Sequence, residues 1–243
     1  MTKYALVTGV LGGIGSVISR KLKESGYYVY GLDVRDDFDY KCDRFILFDI
    51  NQFVADSSYR IRFTEIFNNL IPNLDLLVNN AAVQRLDSLD NLKIDEWSET
   101  LNVNLTGPLL LSKLFLKRLE ESKGSIINIG SIHERLTKKR FISYATSKSA
   151  LVGLTRAMAV DLEGRVRVNA VSPAAIETKM LLDGFDNNEE KVKELEALHP
   201  VQRIGYPEDV AKLVLFLASE NNGFIHGANL SLDGGISSVL KDL

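Results

Sequence analysis

The chain has 243 residues, 45% of them hydrophobic and 25% charged, with 17 glycines and 5 prolines; these are globular proportions, which exclude disordered, collagen-like and disulfide-scaffold classes. Its 29 basic and 32 acidic residues leave a net charge of −3, without the basic surplus of a phosphate-backbone binder, so no nucleic-acid partner is expected. The lone cysteine, Cys42, cannot close an internal disulfide, and no apolar run approaches the ~20 residues a bilayer crossing needs, so no membrane partner is expected either.

In chain order, the opening MTKYALVTG lacks the basic region and long apolar stretch of a secretory signal, and a cytoplasmic protein is expected. Short apolar or β-branched runs predict strands at Tyr4–Thr8, Tyr28–Asp33, Arg44–Asp49, Leu74–Asn79, Gly124–Ile129, Val166–Val171 and Ala228–Leu232. Segments of helical period lie between them at Ile14–Glu24, Tyr59–Leu70, Glu96–Glu121 with a break near Gly107–Pro108, Tyr144–Leu162, Glu189–Leu198 and Pro207–Ala218. Pro207 suits a first helical position, and Glu208 and Asp209 complement the macrodipole. This alternation predicts an α/β fold: a doubly wound, mostly parallel seven-stranded sheet of Rossmann type, with helices on both faces. No linker tract and no repeat divides the chain, so residues 1–243 are expected to form one dinucleotide-binding and catalytic domain.

The first strand runs into Gly9-Val10-Leu11-Gly12-Gly13-Ile14-Gly15 and then a helix. Glycine allows backbone to approach a ligand, and the helix N-terminus supplies N–H groups and positive dipole to a pyrophosphate. The second strand ends at Asp33, 18 residues beyond Gly15, where a carboxylate can accept hydrogen bonds from a ribose and repel a 2′-phosphate. That favours NAD; Arg35 close by offsets part of the repulsion and keeps NADP open. Further on, Tyr144 and Lys148 are four residues apart and share a helix face. A phenol with an ordinary pKa of about 10 is a poor base near neutrality, and an adjacent ammonium favours its phenolate.

Together, Thr8-Gly9-x-x-x-Gly13-x-Gly15, Asn79-Asn80-Ala81-Ala82, Asn104 in N-L-T-G, Ser131 thirteen residues before Tyr144, Tyr144-x-x-x-Lys148, Arg203-x-Gly205-x-Pro207 and Leu232-Asp233-Gly234-Gly235 resemble the short-chain dehydrogenase/reductase family along almost the whole chain. The resemblance implies an NAD(P)-dependent oxidoreductase that moves a hydride between a nicotinamide and a small secondary alcohol or carbonyl compound. In that arrangement Tyr144 exchanges the substrate proton and Ser131 holds the substrate oxygen. Lys148 lowers the tyrosine pKa and grips the nicotinamide ribose, and Asn104 supports Lys148 through a water-linked path. Gly9, Gly13, Ile14 and Gly15 would meet the pyrophosphate, Asp49 and Ile50 the adenine, Asn79 and Ala81 the adenosine ribose, and Ile176 and Thr178 the carboxamide; no metal is implied. Two positions depart from the pattern: Ala82 stands for Gly, and Pro173-Ala174 for Pro-Gly, which would strain Ala174 if its φ were positive. A silent dinucleotide-binding regulator and a non-redox dehydratase or epimerase are the competing readings; intact Ser131, Tyr144 and Lys148 argue against the first, and the short chain against the second.

The substrate pocket is expected beyond the fifth and sixth strands. Ser131-Ile132-His133-Glu134 is similar to a segment of glucose-dehydrogenase-like members, and suits a polar substrate; the following Lys138, Lys139 and Arg140 read as a solvated loop. Residues 175–200, with a turn at Asp186-Asn187-Asn188, read as a lid. Gly107–Glu121 carries more leucine than one sheet face requires, which points to a homo-oligomer, a dimer or tetramer.

Overall fold

The computed structural model describes residues 2–36, 41–185 and 188–240. Seven parallel strands, β1 (Lys3–Thr8), β2 (Tyr27–Asp33), β3 (Arg44–Leu47), β4 (Leu76–Asn79), β5 (Ser125–Ile129), β6 (Arg167–Pro173) and β7 (Asn229–Leu232), form one sheet in the order β3-β2-β1-β4-β5-β6-β7. The order reverses between β1 and β4, whose register pairs Leu6 with Leu77; in such a sheet the ligand crevice opens beyond the carboxyl ends on either side of this reversal.

Alternation along the strands feeds two cores. Leu6, Leu32, Leu77, Ile126 and Val168 face one layer, with Phe67 of α3 (Ser57–Leu70) and Phe115 of α5 (Gly107–Glu121). Ala5, Val7, Val29, Val78 and Ile127 face the other, with Ile18 of α1 (Gly13–Glu24) and Val214 of α9 (Pro207–Ala218). β4 and β5 are buried at every position, as the sandwiched centre of a parallel sheet requires. The α9 bounds are those expected, with Pro207 opening the helix and the Asp209 carboxylate accepting from the Tyr206 N–H at 3.0 Å.

Three differences from the sequence expectations have local causes. The third strand ends at Leu47, because the Asp49 carboxylate accepts from the Gln52 N–H and caps an extra short helix, α2 (Ile50–Ala55). The expected break near Gly107–Pro108 is a bulge: α4 (Ile94–Leu101) passes through a π turn at Asn102–Thr106 into α5 without leaving helical backbone, and the Gly107 N–H bonds the Asn102 carbonyl. Glycine is needed there, since a Cβ at Gly107 would lie 2.2 Å from Ile50 Cγ2. Ala174 is absent from the positive-φ residues of the described chain and donates its N–H to the Leu232 carbonyl at 3.1 Å, so the Gly-to-Ala departure costs no backbone strain.

The remaining elements are α6 (Ile142–Leu162) and two helices of the expected lid, α7 (Lys179–Gly184) and α8 (Glu189–Ala197); Asp186 and Asn187 of the expected turn lie outside the described residues. No helix among the described residues is long and apolar enough to cross a membrane.

Candidate active site

The glycine-rich loop is folded by contacts that only glycine permits. Gly9 turns at φ 66°, with its N–H bonded to the Leu32 carbonyl at 2.7 Å. A Cβ at Gly9 would sit 2.9 Å from Ala81 Cα, one at Gly13 2.9 Å from Thr178 Cγ2, and one at Gly15 2.1 Å from the Gly9 carbonyl oxygen. The loop is thereby wedged between the chain after β4 and the base of α7. Asn80 locks the first of these contacts, donating from Nδ2 to the Thr8 and Gly9 carbonyls at 2.9 and 3.2 Å, while Thr8 Oγ1 accepts from the Asn80 and Ala81 N–H groups at 3.0 Å each. Gly12 offers the start of α1 no side-chain cap, so the helix presents free N–H groups beside half-buried Ile14.

Asp33 closes the loop from the other side. Its Oδ2 accepts from the Leu11 N–H at 3.0 Å, and its Oδ1 accepts from the Arg35 N–H and Nε at 3.1 and 3.3 Å. Asn79 is buried at the end of β4, donating to Asn128 Oδ1 at 2.8 Å and leaving its own Oδ1 without a protein partner. An uncapped helix start and a glycine cradle at the crevice, with an orphaned amide oxygen buried at the end of β4, fit a dinucleotide.

The second cluster lies past β5. Ser131 is extended and buried, and its Oγ accepts from the His133 N–H at 3.2 Å. That fills a lone pair and leaves the Ser131 hydroxyl proton available to a second acceptor, and its hydrogen-bonding influence on Tyr144 favours the phenolate. In α6, Lys148 is 2% exposed; Nζ donates to the Ile129 carbonyl at 2.7 Å and lies 5.6 Å from the centre of the Tyr144 ring. Burial pulls the Lys148 ammonium down from 10.5 to about 8. Burial also pushes the Tyr144 phenol up from 10, opposed by the Ser131 hydrogen bond. The sequence predicts that the lysine lowers the tyrosine pKa; in the protein without cofactor burial raises it instead, with Ser131 as the opposing influence, and the phenol stays protonated.

Asn104 is carried by the π turn. Its Nδ2 donates to the Val83 carbonyl and Ser147 Oγ, both at 2.9 Å, and its Oδ1 accepts from the Val83 N–H at 2.8 Å. The side chain is therefore committed to Val83 and Ser147. His133 stacks on Phe141 with ring centres 4.5 Å apart and meets the edge of Tyr144 at 5.8 Å; burial, aided by the Lys138 charge, pulls its pKa down to about 4. Lys138, Lys139 and Arg140 are exposed, as expected of a solvated loop.

Other expected contacts are positioned differently. The Asp49 carboxylate is spent on capping α2, and the Ile50 side chain is buried against Gly107. Ile176 is buried against Gly205 in a one-residue bridge that uses the Ala175 carbonyl and Glu177 N–H, so only its main chain can face the crevice. Thr178 Oγ1 caps α7 through the Leu181 N–H at 3.3 Å. Sequence reasoning missed Asp87, Ser147 and Asn128; only Asn128 had a visible signal, an amide within the apolar run Ser125–Ile129.

A family model described as Enoyl-(Acyl carrier protein) reductase matches residues 9–237. The chain belongs to the short-chain dehydrogenase/reductase family. It is 31% identical to acetoacetyl-CoA reductase from Acinetobacter sp. (strain RA3849), over 96% of this chain and 97% of that protein. Among solved structures it resembles Thermoplasma acidophilum aldohexose dehydrogenase in ligand-free form, with TM-score 0.92 and 31% identity over 100% of this chain and 96% of that one. It also resembles 4-hydroxyisoleucine dehydrogenase complexed with NADH, with TM-score 0.88 and 26% identity over 98% and 100%. This chain is accordingly an NAD(P)-dependent oxidoreductase that transfers hydride to or from an alcohol or carbonyl compound.

The buried lysine has a thermodynamic signature. Its folded pKa lies below its unfolded one, so the folded protein is disfavoured relative to the unfolded one wherever Lys148 is charged, by roughly 3 kcal/mol below pH 8, and this cost fades between pH 8 and 10.5. Lys148→Met is expected to lose turnover and yet to raise the Tm of the cofactor-free protein at pH 7, by a margin that shrinks toward pH 10. Thermal melts across that range check it; a lower Tm at every pH contradicts it.

Proposed function

We propose that Tyr144 is the acid–base of the reaction, Ser131 the hydrogen-bond donor to the substrate oxygen, Lys148 the electrostatic support of the phenolate, and Asn104 the support of Lys148 through the main chain of the π turn. The observation that carries this reading is the line from the His133 N–H through Ser131 to Tyr144, with buried Lys148 behind the ring. In oxidation, Tyr144 takes the hydroxyl proton while Ser131 donates to the same oxygen; in reduction, Tyr144 returns the proton. A bound nicotinamide supplies the hydride acceptor or donor. Gly9, Gly13, Ile14 and Gly15 would hold its pyrophosphate, Asn79 and Ala81 the adenosine ribose, and Lys148 the nicotinamide ribose; with the Asp49 carboxylate and the Ile50 side chain committed elsewhere, these two would meet the adenine end through their main chain. Ile176, through its main chain, and Thr178 would hold the carboxamide.

NAD is the preferred cofactor in this reading, because the Asp33 carboxylate lies where a 2′-phosphate would be repelled and already engages Arg35. The substrate is a small polyol or sugar-like compound. His133, neutral at working pH and fixed by Phe141 and Thr137, offers a hydrogen-bonding ring beside Ser131, and aldohexose oxidation by a similar protein supports that class. Residues 175–200 act as the lid: α8 buries none of its residues, whereas His199 at its end is 2% exposed and anchors it. A homo-oligomer is supported by α6, whose outer face carries Thr146, Ser149, Gly153 and Val160 in the open, Val160 at 79% exposure.

Reduced-nicotinamide absorbance over D-glucose, D-threitol, glycerol, acetoacetyl-CoA and a hydrophobic alcohol tests the substrate class; turnover confined to the thioester or the hydrophobic alcohol rejects the polyol reading. Tyr144→Phe is expected to keep NADH binding while turnover falls at least 10³-fold, and parent-like turnover refutes the role. Asp33→Asn keeps an acceptor for the Leu11 N–H but removes the charge, so the NAD:NADP ratio of kcat/KM is expected to fall about tenfold or more; an unchanged ratio removes the Asp33 argument. Light scattering is expected to show a dimer or tetramer, and a monomer at micromolar concentration overturns that assignment.

A further inference from the structure

We propose that Asp87 is a positioning residue for the reaction, acting through the start of the helix that carries Tyr144. Asp87 lies in the segment after β4, 4% exposed, and none of the motifs that point to the active site includes it. Its carboxylate accepts the hydroxyl of Ser143, which is fully buried, through Oδ2, and the Ser143 N–H through Oδ1 at 3.3 Å. Its own N–H donates to the Arg140 carbonyl at 3.0 Å, and Asp87 and Phe141 form a one-residue parallel bridge. The contact thus grips three of the four residues immediately ahead of Tyr144, namely Arg140, Phe141 and Ser143.

Without it, the start of α6 has little to fix it. Phe141 stands at the N-cap position and offers no side-chain cap, and Arg140 before it is held at φ 68°, a left-handed conformation that costs free energy for a residue with a Cβ. A carboxylate on the first-turn N–H and hydroxyl of Ser143 supplies the missing acceptor and complements the helix dipole. The Phe141 ring is in turn the platform for His133 and meets the Tyr144 ring edge-on, with centres 6.0 Å apart. The same segment carries Val83, bound by Asn104, and begins at Ala81 against the glycine loop. Asp87 therefore fixes one rim of the crevice to the other and sets where Tyr144 stands relative to Ser131. It makes no contact with the reacting atoms; its effect is geometric, and misplacement of a proton-transfer pair by a fraction of an ångström is enough to slow it.

This inference rests on the assignment of Tyr144 as acid–base, and the experiment separates the two. Asp87→Ala, Asp87→Asn and Tyr144→Phe are compared with the parent for NADH affinity, for kcat and KM with whichever of D-glucose, D-threitol, glycerol or acetoacetyl-CoA turns over fastest, and for amide hydrogen exchange over residues 141–148. Asp87→Ala is expected to lower kcat at least tenfold with NADH affinity within twofold, and to speed exchange at the start of α6. Asp87→Asn, which keeps an acceptor for Ser143, is expected to recover kcat to within threefold of the parent and to restore the exchange protection. Parent-like kcat in Asp87→Ala, unchanged exchange over those residues, or failure of Asp87→Asn to recover either quantity overturns the proposal. Parent-like turnover in Tyr144→Phe instead overturns the acid–base assignment on which it rests.

Discussion

One buried ammonium organises the site. Lys148 of α6 reaches the end of β5, where among the described residues the Ile129 carbonyl is its one hydrogen-bond partner, and its burial keeps it close to losing its proton near pH 8. A cation in that position is costly in a stability sense and useful in a chemical one. Its Nζ lies 5.6 Å from the centre of the Tyr144 ring. The central strands make this possible: β4 and β5, buried on both faces, wall off the lysine from water, and the sheet order places their carboxyl ends beside the reversal at β1 and β4.

The glycine loop answers a complementary requirement. Its backbone is packed so closely against Ala81 and Thr178 that side chains are excluded at Gly9 and Gly13. The same closeness ties the loop to the chain after β4 and to the base of the α7–α8 segment. Asp33 stitches its far side through Leu11. Thr178 both lies against Gly13 and caps α7, so the glycine loop and the base of the α7–α8 segment share one contact.

Much of this was legible in sequence because it depends on local pattern. All seven strands and the five longest helices follow from apolar period and punctuation, and Pro207 with Glu208 and Asp209 marks α9 to the residue. What could not be read depends on partners distant in sequence or on small departures from helical geometry. The π turn at Asn102–Thr106 keeps an unbroken helical pattern of side chains, so periodicity gives no sign of the extra residue in the turn, nor of the close packing of Gly107 on Ile50, far away in the chain. α2 escaped notice because Asp49 reads equally well as a strand end and as a helix cap. Asp87 is a single carboxylate in a polar loop, and its partner Ser143 is 56 residues away.

The sign of the tyrosine shift separates what the protein does alone from what it does with cofactor. In the chain by itself burial dominates and Tyr144 remains a phenol, with the Ser131 bond the one resolved influence that favours the phenolate. A site that held a permanent phenolate in a dry crevice would carry an unneeded anion through every idle cycle. In the proposed reaction, a phenol kept protonated until a cationic ring binds would confine the charged form to the complex in which it acts, and burial of Lys148, which limits the opposing charge near pH 8, would work in the same direction. The desolvation that makes Tyr144 a weak acid in isolation is therefore the same desolvation that makes it responsive to a positive charge placed beside it.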